Sequence, residues 1–330
     1  MGKPDVLPKI PDLVTRLRGL LAQIPPGRVT TYGTLAEALG SPMAARWVGA
    51  FMLKHDHGPD CPCHRVVRSD GRLGLYIEAD VAAKAQRLRD EGVVVDRGAV
   101  DLQAVRFDAF DTDRPLEKLR QAQESLASRI LLSRRRRIPH WVGGVDVSYP
   151  DPDAGTAAYV LLDTQTWQRV WSTTIRREIR FPYISSFLAF RELPILLDLL
   201  AEVDAAGKMA PVLLVDGSGI LHPRHAGIAA HLGVLAGIPT VGVTKKLLCG
   251  HIEGGDQLEP HQSRPVVHDD RVVGVALRPT AGSRRPLFIS PGHRTDVAYA
   301  ERLVRHLLVG HRLPEPLYWA DRLSRAARRR

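Results

Sequence analysis

The stretch Cys61-Pro62-Cys63-His64-Arg65 sets a cysteine directly before a histidine, in a chain with only three cysteines. A thiol becomes a nucleophile when a neighbour takes its proton, and a histidine oriented by a carboxylate can do this. Cys63 has His64 beside it, and Glu91 follows at the end of the next helical stretch, a carboxylate able to orient that imidazole. The same residues allow two other readings. Cys63 can be a buried, inert cysteine. Alternatively, His55, His57, Cys61, Cys63 and His64, all within ten residues, offer the donors that zinc accepts, although C-x-C is tighter than the usual spacing. Downstream stand four widely separated acids, Asp146, Glu192, Asp216 and Asp321, each at the end of an apolar or helical segment. Magnesium prefers hard oxygen ligands, so a site for it needs acids converging from distant parts of a chain. An acid at a strand end is also an ordinary cap or turn residue. Thiol and carboxylate sites do different chemistry, and their presence together predicts two catalytic modules.

Two modules need two scaffolds, and 330 residues are enough for two cores. Residues 12–23 read as a helix broken by Pro25-Pro26-Gly27. A short helix over 34–39 ends at Gly40, and Ser41 with Pro42 opens another to Leu53, apolar at Met43, Trp47, Val48 and Phe51. Two short helices joined by a tight turn have the form of a helix-turn-helix. Residues 81–90 form a further helix. The aspartate-rich stretch 108–114 reads as a linker between an amino-terminal domain, 1–107, and a carboxy-terminal one, 115–330. A helix over 115–133 is followed by three β-rich runs, 141–148, 157–163 and 170–179, predicted as an antiparallel meander. Helix 186–201, strand 212–215, helix 224–235 and strand 240–243 then alternate. The fold class is α/β: a helix-rich first domain, then a ribonuclease H-like mixed sheet flanked by helices.

The net charge of +10 favours a polyanionic partner. Part of it sits in Arg134 to Arg137 and Arg328 to Arg330; such runs are also ordinary solvated surface. Three cysteines build no disulfide framework, which predicts a reducing, cytoplasmic compartment. No apolar run reaches the ~18 residues of a membrane span and no signal-peptide core is visible, so no membrane partner is expected.

The words Gly27-Arg28-Val29-Thr30-Thr31-Tyr32-Gly33, Ala45-Arg46-Trp47-Val48-Gly49 and Pro62-Cys63-His64-Arg65-Val66 resemble the catalytic domain of alkylguanine DNA alkyltransferases, over residues 10–105. The resemblance implies a winged-helix-like domain in which Cys63 takes an alkyl group irreversibly from a flipped guanine. His64 would mediate proton transfer and Glu91 complete the relay. Arg46 would replace the extruded base in the minor groove and Tyr32 press on the backbone; extrusion costs a few kcal/mol, less at damaged pairs. His55 stands where the family usually has asparagine, and Arg72-Leu73-Gly74-Leu75-Tyr76 replaces its substrate-loop glycines. These departures, with residues 86–93, are closer to the alkyltransferase-like proteins, which bind alkylated guanine without reacting because tryptophan replaces their cysteine. This chain keeps the cysteine. Transfer is expected, and a non-reacting lesion sensor is the alternative.

The later words are long and ordered. They include Gly144 to Tyr149, Phe181-Pro182-Tyr183-Ile184, Phe187 to Glu192, Asp216 to Arg224, His231 to Val234, Gly242 to Leu247 and Ser290-Pro291-Gly292-His293. They resemble the endonuclease V family over residues 115–325. The resemblance implies a Mg2+-dependent nuclease, with Mn2+ as a substitute, that nicks DNA 3′ to deaminated purines, above all hypoxanthine. Asp146 and Asp216 would ligate the metal, Glu192 join directly or through water, and Asp321 be a further acid. Lys245 would stabilise charge on the scissile phosphate, His222 contact lesion or backbone, and Tyr183 fill the gap left by the extruded base. Ser185 replaces the usual proline after Tyr-Ile. The expected partners are DNA carrying alkylated guanine or deaminated adenine, with inosine-containing RNA as an alternative.

Overall fold

The structure is a computed structural model and describes residues 7–58, 60–76, 80–151 and 154–326; the arginine run at 328–330 lies outside them. It forms two compact units. The first, the thiol unit, comprises residues 9–121 with 181–187; the second, the carboxylate unit, takes 7–8, 122–180 and 188–326.

In the thiol unit, α1 (Leu13–Ala22) starts where the Asp12 carboxylate accepts from the Thr15 N–H, and α2 (Tyr32–Ala38) where Thr31 accepts from Thr34. The helix expected to open at Pro42 begins instead as a 3-10 turn, Pro42–Ala44, before α3 (Ala45–Met52). Proline has no N–H to donate, and Ser41 Oγ caps the Met43 N–H, which tightens the turn. The short strands β1 (Thr30–Thr31) and β2 (Val66–Val67) pair in parallel, with α4 (Val81–Asp90) and α5 (Leu102–Val105) beyond. Val29, Val67, Leu73, Leu88 and Val93 share one core. The predicted linker is docked rather than loose. Thr112 Oγ1 donates to the Ala38 carbonyl at 2.7 Å, and the Gln23 amide pairs both ways with the Asp111 backbone. Helix α6 (Pro115–Ala127) stops short of the expected Ser133. The chain beyond it forms a bridge between Leu132 and Thr295.

Among the described residues, the carboxylate unit is built on nine strands. The meander appears as β3 (Trp141–Asp151), β4 (Ala154–Asp163) and β5 (Arg169–Glu178). After α7 (Leu188–Ala205) come β6 (Leu213–Asp216), α8 (Ile228–Ala236) and β7 (Thr240–Thr244). Four strands absent from the sequence reading follow: β8 (His251–Ile252), β9 (Ser263–His268), β10 (Arg271–Leu277) and β11 (Leu287–Pro291). Helices α9 (Val297–His306) and α10 (Glu315–Ala326) complete the unit. The strand order is β5-β4-β3-β6-β7-β11-β10-β9-β8, parallel only through β3, β6 and β7. Alternation along β6 sorts the two faces. Leu213 and Val215 pack with Leu193, Leu196 and Leu232 under α7 and α8, whereas Leu214 packs with Tyr299, Leu303 and Leu317 under α9 and α10.

Candidate active sites

The parallel pairing of β3 and β6 sets the carboxylate site. Val145 is opposite Val215, so Asp146 and Asp216 emerge side by side one residue further on. Helix α10 brings the third acid. A Cβ on Gly144 would lie 2.5 Å from the Pro316 backbone. The missing side chain lets α10 lie directly on β3, which delivers Asp321 and Ser324 to Asp146. Carboxylate oxygens of Asp146, Asp216 and Asp321 lie within 4.8 Å of one another. They face a cavity of about 470 Å³ lined also by Tyr149, Leu188, Glu192, Lys245 and Arg325.

Three acids this close repel, and the surroundings answer in two ways. Lys245 Nζ donates to Asp216 Oδ2 at 2.8 Å and lies 3.6 Å from Asp321 Oδ1, while Arg325 donates to Asp321 at 2.8 Å. Burial opposes the charge on Lys245, but Asp216 and its neighbours hold its pKa above the usual value. Protons do the rest. Burial, then Asp216, pushes Asp146 up to about 7 despite a 2.6 Å hydrogen bond from Ser324 Oγ. Burial pushes Glu192 up to about 8, against the Tyr149 hydroxyl that donates to it at 2.7 Å. Arg191 stacks over the Tyr149 ring, 4.2 Å from its centroid. A cluster of hard oxygen donors with too few cations is the donor set expected of a divalent-metal site.

Of the other expected residues, Lys245 is inside the site but presently bridges carboxylates. Tyr183 is in a loop, within residues 181–187 of the thiol unit, and is 65% exposed beside buried Phe181, Ile184 and Phe187. His222 is only 3% exposed, and its Nδ1 accepts from the Arg224 N–H. The expected contact of its side chain with a lesion is therefore not open in this arrangement, and it shapes its own loop instead. Sequence reasoning missed Tyr149, Ser324 and Arg325. The spacing of Ser324 and Arg325, three and four residues after Asp321, signals one helical face.

In the thiol unit, Cys63 and His64 sit in a 3-10 turn, Pro62–Arg65, that leads into β2. His64 Nε2 donates to Glu91 Oε1 at 2.7 Å. Arg65 grips both Glu91 oxygens and the Gly27 N–H adds a third donor. Burial works against the Glu91 charge, but Arg65, His64 and Gly27 together hold its pKa near 2. Burial lowers the His64 pKa, leaving a neutral ring whose buried Nδ1 has no protein partner. The Cys63 thiol meets His57 Nδ1 at 3.1 Å, and Cys61 meets His55 Nε2 at 3.1 Å. Hydrogen bonding with Cys63 and His55 lowers the Cys61 thiol, whereas Cys61 and burial push the Cys63 thiol well up. Tyr32 opens α2 half-buried, with burial raising its pKa, and Arg46 is exposed on α3. Lys84, also missed, is buried and donates to the Val66 and Leu73 carbonyls; burial lowers it to about 8.

Residues 124–322 match the family model described as Endonuclease V, and the chain belongs to that family. Residues 13–93 match the DNA binding domain of 6-O-methylguanine DNA methyltransferase. Over 318 residues the chain is 34% identical to the bifunctional methyltransferase/endonuclease of Picrophilus torridus, covering 96% of this chain and 97% of that protein. The crystal structure of human ENDOV superposes with a TM-score of 0.58 at 37% identity, over 65% of this chain and 98% of that one. Ciona intestinalis Endonuclease V, in complex with DNA containing an inosine followed by a ribo-adenosine, superposes with a TM-score of 0.57 at 28% identity, over 65% of this chain and 98% of that one. The chain therefore joins an alkyltransferase domain and an endonuclease domain of DNA repair on one polypeptide. Among the described residues, no helix is long and apolar enough to cross a membrane.

Proposed function

We propose that the carboxylate unit is a divalent-metal-dependent endonuclease that nicks DNA 3′ to hypoxanthine, and that the thiol unit moves alkyl groups from guanine onto Cys63. The observation that carries the first half is the meeting of Asp146, Asp216 and Asp321 within 4.8 Å at one cavity. The donors are all carboxylate oxygens, which suits Mg2+, with Mn2+ as a substitute. Asp146 and Asp216 would hold the ion, with Asp321 and Glu192 beside it. Once bound, it supplies an activated water and neutralises charge on the phosphate. Lys245 adds a fixed positive charge at the same wall, and the exposed ring of Tyr183 is a base-stacking surface worth about 1–3 kcal/mol. A strand with a single inosine tests this. Nicking should vanish with chelator, return with Mg2+ and fall by more than about 100-fold in Asp216→Ala, since even outer partners of a metal site matter 10–100-fold. Cleavage indifferent to both would refute the assignment.

The Ciona complex, with its ribo-adenosine after inosine, favours testing a second substrate for the same site. Inosine-containing RNA and DNA strands of one sequence, cleaved side by side, separate the two readings, because only RNA has the 2′-hydroxyl throughout.

In the thiol unit, the His64–Glu91 pair supports transfer. Glu91 fixes Nε2 as the donor, leaving the Nδ1 lone pair as the base. The Cys63 sulfur–carbon bond forms as the guanine O6–carbon bond breaks, and the proton lost by the thiol is relayed through His64 to the departing guanine. Incubation with an O6-alkylguanine oligonucleotide should add one alkyl mass to Cys63. Tight binding with no mass gain would make the unit a sensor.

A further inference from the structure

Four soft and borderline donors converge beside the transfer machinery. From the end of α3 onward, His55, His57, Cys61 and Cys63 each bring one ligand atom, and all four lie within 4.8 Å of one another. They arrive as two crossed pairs. His55 Nε2 is 3.1 Å from Cys61 Sγ, and His57 Nδ1 is 3.1 Å from Cys63 Sγ. A turn closed by the Cys61 N–H donating to the Gly58 carbonyl folds the loop back to make this possible. We propose that these four side chains form a tetrahedral site for a thiophilic divalent cation of the zinc class.

The donor set is N2S2, the set that tetrahedral zinc favours over magnesium or calcium. Bonds of about 2.0–2.3 Å bring tetrahedral ligand atoms to separations inside the spread seen here, so closure needs only side-chain adjustment. A second feature is independent of the cluster itself. His55 Nδ1 donates to the Phe51 carbonyl at 3.0 Å, which fixes the tautomer and leaves the Nε2 lone pair pointing to the cluster. Metal-bound histidines almost always have such an outer partner. The His55 ring also stacks on Phe51, with centroids 4.7 Å apart, which sets its orientation before any ion arrives. The C-x-C spacing is workable because each cysteine pairs with a histidine six positions earlier, so the site is built from H-x-H and C-x-C arms. Without an ion, the four groups make two thiol–imidazole hydrogen bonds. With one, both thiols bind as thiolates and release their protons.

The test is separable from alkyl transfer, since metal is read on the unreacted chain, whereas alkylation of Cys63 would replace one thiolate ligand by a thioether. The test uses the whole reduced chain, stripped with chelator and titrated with Co2+ and then Zn2+. Tetrahedral thiolate coordination should give a cobalt–thiolate charge-transfer band and strong visible d–d bands at one equivalent, displaced by Zn2+. The bands should persist in Asp146→Asn, which disables only the carboxylate site, and in Cys249→Ser. Affinity should fall by more than about 100-fold in Cys61→Ser and in His55→Ala. Bound Zn2+ should also slow alkylation of two of the three cysteines by iodoacetamide. Absence of the charge-transfer band in the reduced wild-type chain at saturating Co2+ would overturn the proposal even if a variant failed to fold. So would survival of the band in Cys61→Ser.

Discussion

At the residue scale, protons and the cations of Lys245 and Arg325 offset the repulsion among the clustered carboxylates. Asp146, with an ordinary value of 3.8, is raised to about 7, and Glu192, ordinarily 4.5, to about 8. An acid whose pKa is higher in the fold than in the unfolded chain binds more protons when folded across that interval. The metal-free protein should therefore lose stability as pH rises from about 4 to about 8. Asp146→Asn and Glu192→Gln should each flatten that slope; a thermal melt series in chelator checks it, and an unchanged slope would sink the account. Metal binding must displace the same protons, so affinity should climb through neutral pH. Ser324→Ala removes the 2.6 Å hydrogen bond that favours ionised Asp146 and should weaken metal affinity by about 10–100-fold, read by calorimetric titration. The acids themselves were legible in the sequence, because each closes an apolar word. Ser324 was not, because its partner is 178 positions away and only α10 packing brings them together.

At the level of elements, the decisive contact is α10 against β3. Gly144 reads in the sequence as the start of a family word. Its physical reason appears only in three dimensions, where a Cβ at 144 would collide with the Pro316 backbone. Gly144→Ala should push α10 outward and carry Asp321 and Ser324 with it. The expected result is a loss of nicking on the order of 100-fold, the cost of misplacing a positioned group by about 1 Å, with a folded circular dichroism spectrum. Full activity in that variant would show that α10 tolerates displacement. The meander, α7, β6, α8 and β7 were legible because their apolar runs are long and separated by turn residues. Strands β8 to β11 were not, although Arg271–Leu277 is strongly apolar. Short strands joined by polar turns carry little periodicity, and the bulge between Val272 and Gly274 interrupts what there is. The opening of α3 as a 3-10 turn was hidden for a different reason, since Pro42 after Ser41 marks a helix start without saying which helix.

At the level of the whole molecule, two chemistries share a chain. Cys63, His64 and Glu91 belong to residues 9–121, and Asp146, Glu192, Asp216, Lys245 and Asp321 to the other unit, while Tyr183 falls in the 181–187 segment of the thiol unit. The units have separate apolar cores, so each should keep its function when the other's chemistry is removed. Cys63→Ser should abolish alkyl acceptance and leave nicking at inosine within about twofold, and Asp216→Ala should do the reverse; mass spectrometry and strand cleavage on the same preparations report both. What tethering adds is concentration. A unit held on damaged DNA keeps its neighbour at high local concentration on the same strand, without new contacts between the two. On a duplex carrying both an O6-alkylguanine and an inosine, full-length protein should therefore dissociate at least about tenfold more slowly than from either single-lesion duplex, since tethered engagement gains 10²–10⁴ in avidity when geometry permits. The net charge of +10 makes both affinities fall steeply with salt, so the three duplexes must be compared at one ionic strength. Equal residence times on all three, at several spacings between the lesions, would mean that the two units act as separate enzymes that merely share a chain.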